Sequence, residues 1–176
     1  MAREYLAAEV AIDALITEIE SISRKPVTAI LLGGLAMAWY GSSRQTRDLD
    51  AEVSSLTRPQ LTRLWKSLDF PADLSADVSH WGMIDLPPGY RKRAEVIRRR
   101  GRITVRILSP LDLVMSKLRV MRDSDIQDAR FLIRRFKLTK LKIRRAMNRM
   151  IHASIPSTDL FFFQRFMEGF FKSQFR

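Results

Sequence analysis

The sequence predicts an α/β front half followed by an all-α back half, and three observations predict it. Short apolar runs alternate with helical patterns up to about residue 108. Ser109-Pro110-Leu111-Asp112 then marks a helix start, with serine as N-cap, proline at the first helical position and an acid at the third. Beyond it every segment repeats at helical spacing. The division is therefore drawn as an α/β core over 1–108 and a helical region over 109–176. The 176 residues, 46% of them hydrophobic, suffice for a core that folds alone.

Residues 2–22 place Leu6, Val10 and Ala14 at helical spacing, ended by the Arg24-Lys25-Pro26 break. The apolar run 27–32 is a strand. Gly33-Gly34 opens a short apolar helix through Tyr40, which Gly41 terminates in the left-handed conformation. The alternation over 47–53 is a strand with Asp48 and Asp50 on one face and Leu49 and Ala51 on the other. Residues 58–68 form a helix that buries Leu61, Leu64, Trp65 and Leu68. A strand follows over 76–86, stopped by Pro87-Pro88-Gly89, and then two strands flank a turn at Arg100-Gly101. Four helices complete the chain, over 110–121, 124–136, 139–153 and 157–174. The last carries Phe161, Phe162, Phe163, Phe166, Phe170 and Phe171, apolar around most of its circumference, and must pack into a groove of its own domain or of a partner.

Composition excludes several classes. Without cysteine there is no disulfide or thiolate zinc site, and His80 and His152 stand far apart, so any metal is held by oxygen. No uncharged stretch reaches the roughly 18 to 20 residues that cross a bilayer, which predicts a soluble, cytoplasmic protein with no membrane role. A net charge of +12 favours a polyanionic partner, nucleic acid first. The cations concentrate: Tyr90–Arg106 holds eight basic residues and one acid, and Arg134–Arg149 holds eight more. Such a field repels small cationic substrates and suits a long polyanion such as RNA. Trp39, Trp65 and Trp81 read as core rather than as base-stacking residues, and His80 likewise.

One constellation carries chemistry. Two glycines at a strand-to-helix turn, Gly33 and Gly34, let the backbone approach a phosphate chain closely. Arg44-Gln45-Thr46-Arg47-Asp48-Leu49-Asp50 follows, with two carboxylates pointing the same way and Arg44 and Arg47 available to phosphate. Paired acids of this kind suit magnesium, with manganese in its place as an alternative.

A glycine pair, a spacer and then R-x-T-x-D-hydrophobic-D resembles the signature of the DNA-polymerase-β-like nucleotidyltransferases. The likeness is strongest to small bacterial toxin- and defence-type members, AbiEii-like or DUF6036-like, which also carry a P-x-D-L-x-x-S-K-L helix and a D-I-x-D helix. Here these read Pro110-Leu111-Asp112-Leu113-Val114-Met115-Ser116-Lys117-Leu118 and Asp125-Ile126-Gln127-Asp128. The resemblance covers roughly 27–135 and implies a mixed β-sheet with flanking helices, followed by a helical bundle. It implies transfer of a nucleoside monophosphate from a nucleoside triphosphate such as ATP to an acceptor hydroxyl, with magnesium held by Asp48, Asp50 and a third carboxylate. For that third acid Asp85, in Ile84-Asp85-Leu86, is preferred to Asp77, in Ala76-Asp77-Val78. Lys117 would reach the nucleotide with Gly33, Gly34, Arg44, Thr46 and Arg47, while Asp125 and Asp128 support it. RNA, tRNA in particular, ranks first as acceptor. The resemblance also implies a role in toxin–antitoxin pairs or phage defence, with the phenylalanine-rich helix docked on an antitoxin or on a second copy. The competing expectation is a catalytically inactive protein of the same fold that binds RNA or a partner.

Overall fold

The computed structural model describes residues 6–175, with the backbone alone at His80. Five strands form one sheet: β1 (Val27–Leu32), β2 (Leu49–Val53), β3 (Ala72–Ser75), β4 (Glu95–Arg100) and β5 (Ile103–Ile107). Their order is β3-β2-β1-β5-β4. The apolar run of β1, broken only by Thr28, is explained by its central place, since a strand covered on both faces needs no polar alternation. It runs antiparallel to β2 and parallel to β5, so the sheet is mixed.

The chain divides into two compact units. The first runs up to Val78 and resumes over Ala94–Leu108, and it contains the whole sheet. Its helices are α1 (Ala8–Ile22), α2 (Gly33–Trp39) and α3 (Arg58–Ser67). The stripe Ile12, Leu15, Ile16 and Ile19 of α1 is fully buried. The charged strand β4 is explained by α1 as well: Arg98 pairs with Glu9 and, at 3.0 Å, with Asp13, and Arg100 pairs with Glu20 at 3.0 Å. Register then sorts the sheet. Arg98 and Arg100 lie opposite Val105 and Ile103, which continue through Ala29 and Val27 to Val53, so these residues share the α1 face. Ile30, Leu32, Asp50 and Glu52 alternate onto the other face.

The second unit comprises Ser79–Arg93 and the chain from Ser109 onward. It holds α4 (Tyr90–Arg93), α5 (Pro110–Leu118), α6 (Asp123–Arg135), α7 (Lys140–Ala153) and α8 (Thr158–Gln174). Ser109 caps α5 by accepting the Asp112 N–H at 3.3 Å. Every residue from Asp112 to Leu118 is buried, which makes α5 the centre of this unit. Asp112 is held there by Arg93, whose Nε and Nη2 donate at 2.9 and 2.8 Å, and by the Ser109 hydroxyl at 2.7 Å. The aromatic excess of α8 resolves into a stripe: Leu160, Phe163, Met167, Phe170 and Phe171 are buried, and Phe161 and Phe162 are exposed.

Four expectations are corrected. No strand spans 76–86; the extended segment is the earlier Ala72–Ser75, and Ser79–Trp81 forms a single 3-10 turn. The reason is competition from side chains. Ser75 Oγ accepts the Asp77 N–H at 3.0 Å, and Ser79 Oγ accepts the Leu86 N–H at 2.9 Å while donating to Asp85 Oδ1 at 3.2 Å. These bonds offer the backbone a looped alternative to a ladder. The first helix begins at Ala8, and the earlier part of 2–22, over 2–5, lies outside the described residues. Strand β2 begins at Leu49, so Asp48 sits in the loop that enters it. Trp65 is 53% exposed and, with Leu61, Ala72 and Leu74, lines a groove beside the edge strand β3 rather than filling the core. Among the described residues no helix is long and apolar enough to cross a membrane.

Candidate active site

The turn between β1 and α2 is built around two polar neighbours, the carboxylate of Asp50 and the hydroxyl of Thr46. Gly33 has φ +65°, a left-handed conformation, and a methyl group placed on it falls 1.6 Å from Asp50 Oδ2. Gly34 has the same relation to Thr46: a methyl there lies 2.4 Å from Oγ1. Thr46 is buried and its hydroxyl donates to Asp48 Oδ1 at 2.6 Å. Its carbonyl accepts the Leu6 N–H at 3.0 Å, which pins the loop. Gly33, Gly34, Thr46, Asp48 and Asp50 thus form one chain of contacts within the first unit. The glycine pair was read as room for a phosphate chain; the structure adds that it is first of all room for Asp50 and Thr46.

Asp48 is exposed and Asp50 half-buried. Arg44 and Arg47 are exposed in the same loop. Thr46 fixes one oxygen of Asp48 and leaves the other available. Thr46→Val, which keeps the shape and removes the donor, is expected to leave the melting temperature within a few degrees of wild type. Nucleotidyl transfer by that variant should fall about tenfold, equivalent to about 1.4 kcal/mol, in a steady-state assay.

Two acids missed in the sequence belong to the same sheet face. Asp73 on β3 is the register partner of Asp50 across parallel strands, at the interstrand spacing of about 4.8 Å. Its setting, Ala72-Asp73-Leu74, has the same apolar-Asp-apolar form as the two candidates that were weighed, and the preceding Pro71 hid the short strand. Glu52 extends the alternation of Asp48 and Asp50 and is 1% exposed; its Oε2 accepts the Val78 N–H at 3.0 Å and ties down the chain leaving β3. The position of Glu52 was legible as the next alternate residue of the strand.

Of the other predicted residues, Asp77 belongs to the first unit and Asp85, Lys117, Asp125 and Asp128 to the second. Asp85 belongs to the second unit, outside any strand, where its N–H donates to Ser154 Oγ at 2.9 Å and its carboxylate accepts from Ser79. Asp77 is in the turn after β3, bonded to Ser75 through its main chain. Lys117, 7% exposed, directs its ammonium at Asp125 Oδ1 and Asp128 Oδ2, each at 2.9 Å. The spacing explains this: Asp125 and Asp128 stand i, i+3 on α6 and so share one face, against α5.

The donor set fits a hard cation. All available ligands are oxygens, and among the described residues no three His, Cys, Asp or Glu side chains gather into a metal-holding group. Magnesium is commonly held by one or two carboxylates and completed by substrate phosphates and water, so Asp48 and Asp50 are the residues that would hold it.

The model of a family described as nucleotidyltransferase of unknown function (DUF6036) matches residues 9–163. Among solved structures, the chain is similar to an antigenic nucleotidyltransferase-like protein from Paracoccidioides brasiliensis, with TM-score 0.53 and 15% identity over 95% of this chain and 88% of that one. That likeness is one of fold. No curated protein matches the chain. The family match spans both the glycine–carboxylate turn and the buried lysine of α5, and on it the chain belongs to the DUF6036 nucleotidyltransferases.

Proposed function

We propose that the protein transfers a nucleoside monophosphate from a nucleoside triphosphate to a hydroxyl on RNA, tRNA first, at a magnesium-dependent site formed by Asp48 and Asp50. The single observation that carries this reading is the close approach of Gly33 to Asp50, in a chain whose family is that of nucleotidyltransferases. A turn with no room for a methyl group beside a carboxylate serves a site better than it serves a core.

In the reaction, the acceptor oxygen bonds to the α-phosphorus, the bond from that phosphorus to the bridging oxygen of pyrophosphate breaks, and the hydroxyl proton leaves to solvent. Asp48 and Asp50 would hold magnesium, which would supply neutralisation of the triphosphate charge; Thr46 holds Asp48, and Gly33 leaves room for Asp50. Arg44 and Arg47 meet the phosphate chain in this reading. The resemblance extends the proposal to a toxin of a toxin–antitoxin pair or of phage defence.

The test uses triphosphates labelled at the α or the γ position, total tRNA and magnesium. The α label is expected in RNA and the γ label in pyrophosphate, and both transfers stop when EDTA replaces magnesium. Release of γ label as inorganic phosphate, with none of the α label in RNA or protein, means hydrolysis and contradicts the proposal. A second reading, a catalytically inactive protein that binds RNA or a partner, is favoured because Asp48, Asp50 and Asp73 do not gather into a metal-holding group among the described residues. It predicts no transfer with any triphosphate.

A further inference from the structure

The two basic segments differ in what their cations do. In the first, Arg93 is spent on Asp112, Arg98 on Glu9 and Asp13, and Arg100 on Glu20. Arg102 donates to the Ser23 and Glu20 carbonyls, and Arg106 to the Ala94 carbonyl. These arginines are internal staples. The second segment has no such sinks: between Asp128 and Asp159 the chain carries no acid at all.

Helix α7 shows the consequence. Its apolar stripe, Ile143, Ala146 and Met150, is fully buried within the second unit. Lys140, Lys142, Arg144, Arg145 and Arg149 are all exposed, and none of them is in an ion pair among the described residues. Lys142, Arg145 and Arg149 follow one another at i, i+3 and i+7 and so form a row along one side, about 10 Å long at 1.5 Å per residue. Arg134, Arg135 and Lys137, also exposed, add charge where α6 ends. Neighbouring like charges at this spacing oppose helix formation, so the row is a cost that the isolated fold does not recover.

We infer that the exposed face of α7, with the end of α6, is a docking surface for the phosphate backbone of RNA. The chemistry selects this partner. Membrane insertion needs an apolar stripe, and that of α7 is already buried. A protein interface needs a desolvated apolar centre, whereas here the exposed large apolar side chains are Leu141 on α7 and Phe136 at the end of α6, set among eight cations. Phosphate needs only accessible cations on a rigid scaffold, and contacts of this kind position a strand without reading its sequence.

The inference rests on RNA as the acceptor, and its test is kept apart from catalysis by measuring binding without nucleotide. Fluorescence anisotropy of labelled total tRNA is followed against salt for four full-length proteins. These are the wild type, Lys142→Glu/Arg145→Glu/Arg149→Glu, the matching glutamine triple, and Arg58→Glu/Arg63→Glu/Lys66→Glu on α3 as a control of equal charge change. At 0.1 M salt the α7 glutamate triple is expected to bind about 100-fold more weakly, with the slope of log K against log salt reduced by about two to three. The glutamine triple, which keeps the helix, shows the smaller part of the same loss, and the α3 control stays within about tenfold of wild type. The binding readout contains no nucleotide, so failure of transfer and failure of docking are separable. Wild-type affinity in both α7 triples, or equal weakening by the α3 control, overturns the inference. So does a glutamate triple that keeps tRNA and loses polyglutamate, which would assign the surface to an acidic protein.

Discussion

Gly33→Ala is expected to lower stability by about 2–5 kcal/mol and to reduce nucleotidyl transfer by more than about 100-fold. Two separate costs act at this position. The left-handed φ of +65° disfavours any L side chain, by about 1–2 kcal/mol. The new methyl also occupies the place of Asp50 Oδ2, and relieving that overlap adds about 1–3 kcal/mol of overpacking. Because the obstructing atom is a carboxylate oxygen rather than a flexible apolar end, the relief is movement of Asp50 itself. Urea unfolding and a steady-state transfer assay measure the two effects. Gly34→Ala separates them: the added methyl presses on Thr46 instead, so the loss should be mainly of activity through Asp48. Gly82→Ala, where nothing lies within 4 Å of the added carbon, should change neither.

The second large effect is on folding. Lys117→Met should destabilise the protein by about 3–5 kcal/mol, because it leaves the carboxylates of Asp125 and Asp128 buried, close together and without their cation. Asp125→Asn should cost less, since Lys117 keeps Asp128 and the amide still accepts a hydrogen bond. The Lys117→Met/Asp125→Asn/Asp128→Asn triple should recover much of the loss, as no charge is then left unpaired. Denaturation midpoints of the single and triple variants test this. A Lys117→Met protein as stable as wild type would show that the ammonium does not hold α5 and α6 together.

The elements that the sequence disclosed best are those whose local chemistry agrees with their place in the fold. The run Val27–Leu32, the Gly41 stop, the turn at Gly101 and the Ser109-Pro110 start of α5 each have a cause within a few residues. The carboxylate pair and the glycine pair were legible for the same reason. What the sequence hid depends on distant partners. Nothing local in Glu95–Arg100 says that its arginines face the acids of α1, and nothing local in Lys117 says that its charge is shared by two aspartates of α6. The segment 76–86 misled because the hydroxyls of Ser75 and Ser79 turn its backbone into a loop. Asp73 was missed because a four-residue edge strand after proline gives little periodicity, and its relation to Asp50 exists only through register.

The most direct measurement is label transfer from each α-labelled nucleoside triphosphate to total tRNA by wild type and by Asp48→Asn/Asp50→Asn, with thermal melts of both proteins alongside. Transfer from one triphosphate by wild type, and none above background by a double variant that melts as wild type does, is the predicted result. Equal transfer by the two proteins would place the chemistry away from Asp48 and Asp50. No transfer by either, with tRNA binding intact, would make the protein a binding module on a nucleotidyltransferase fold.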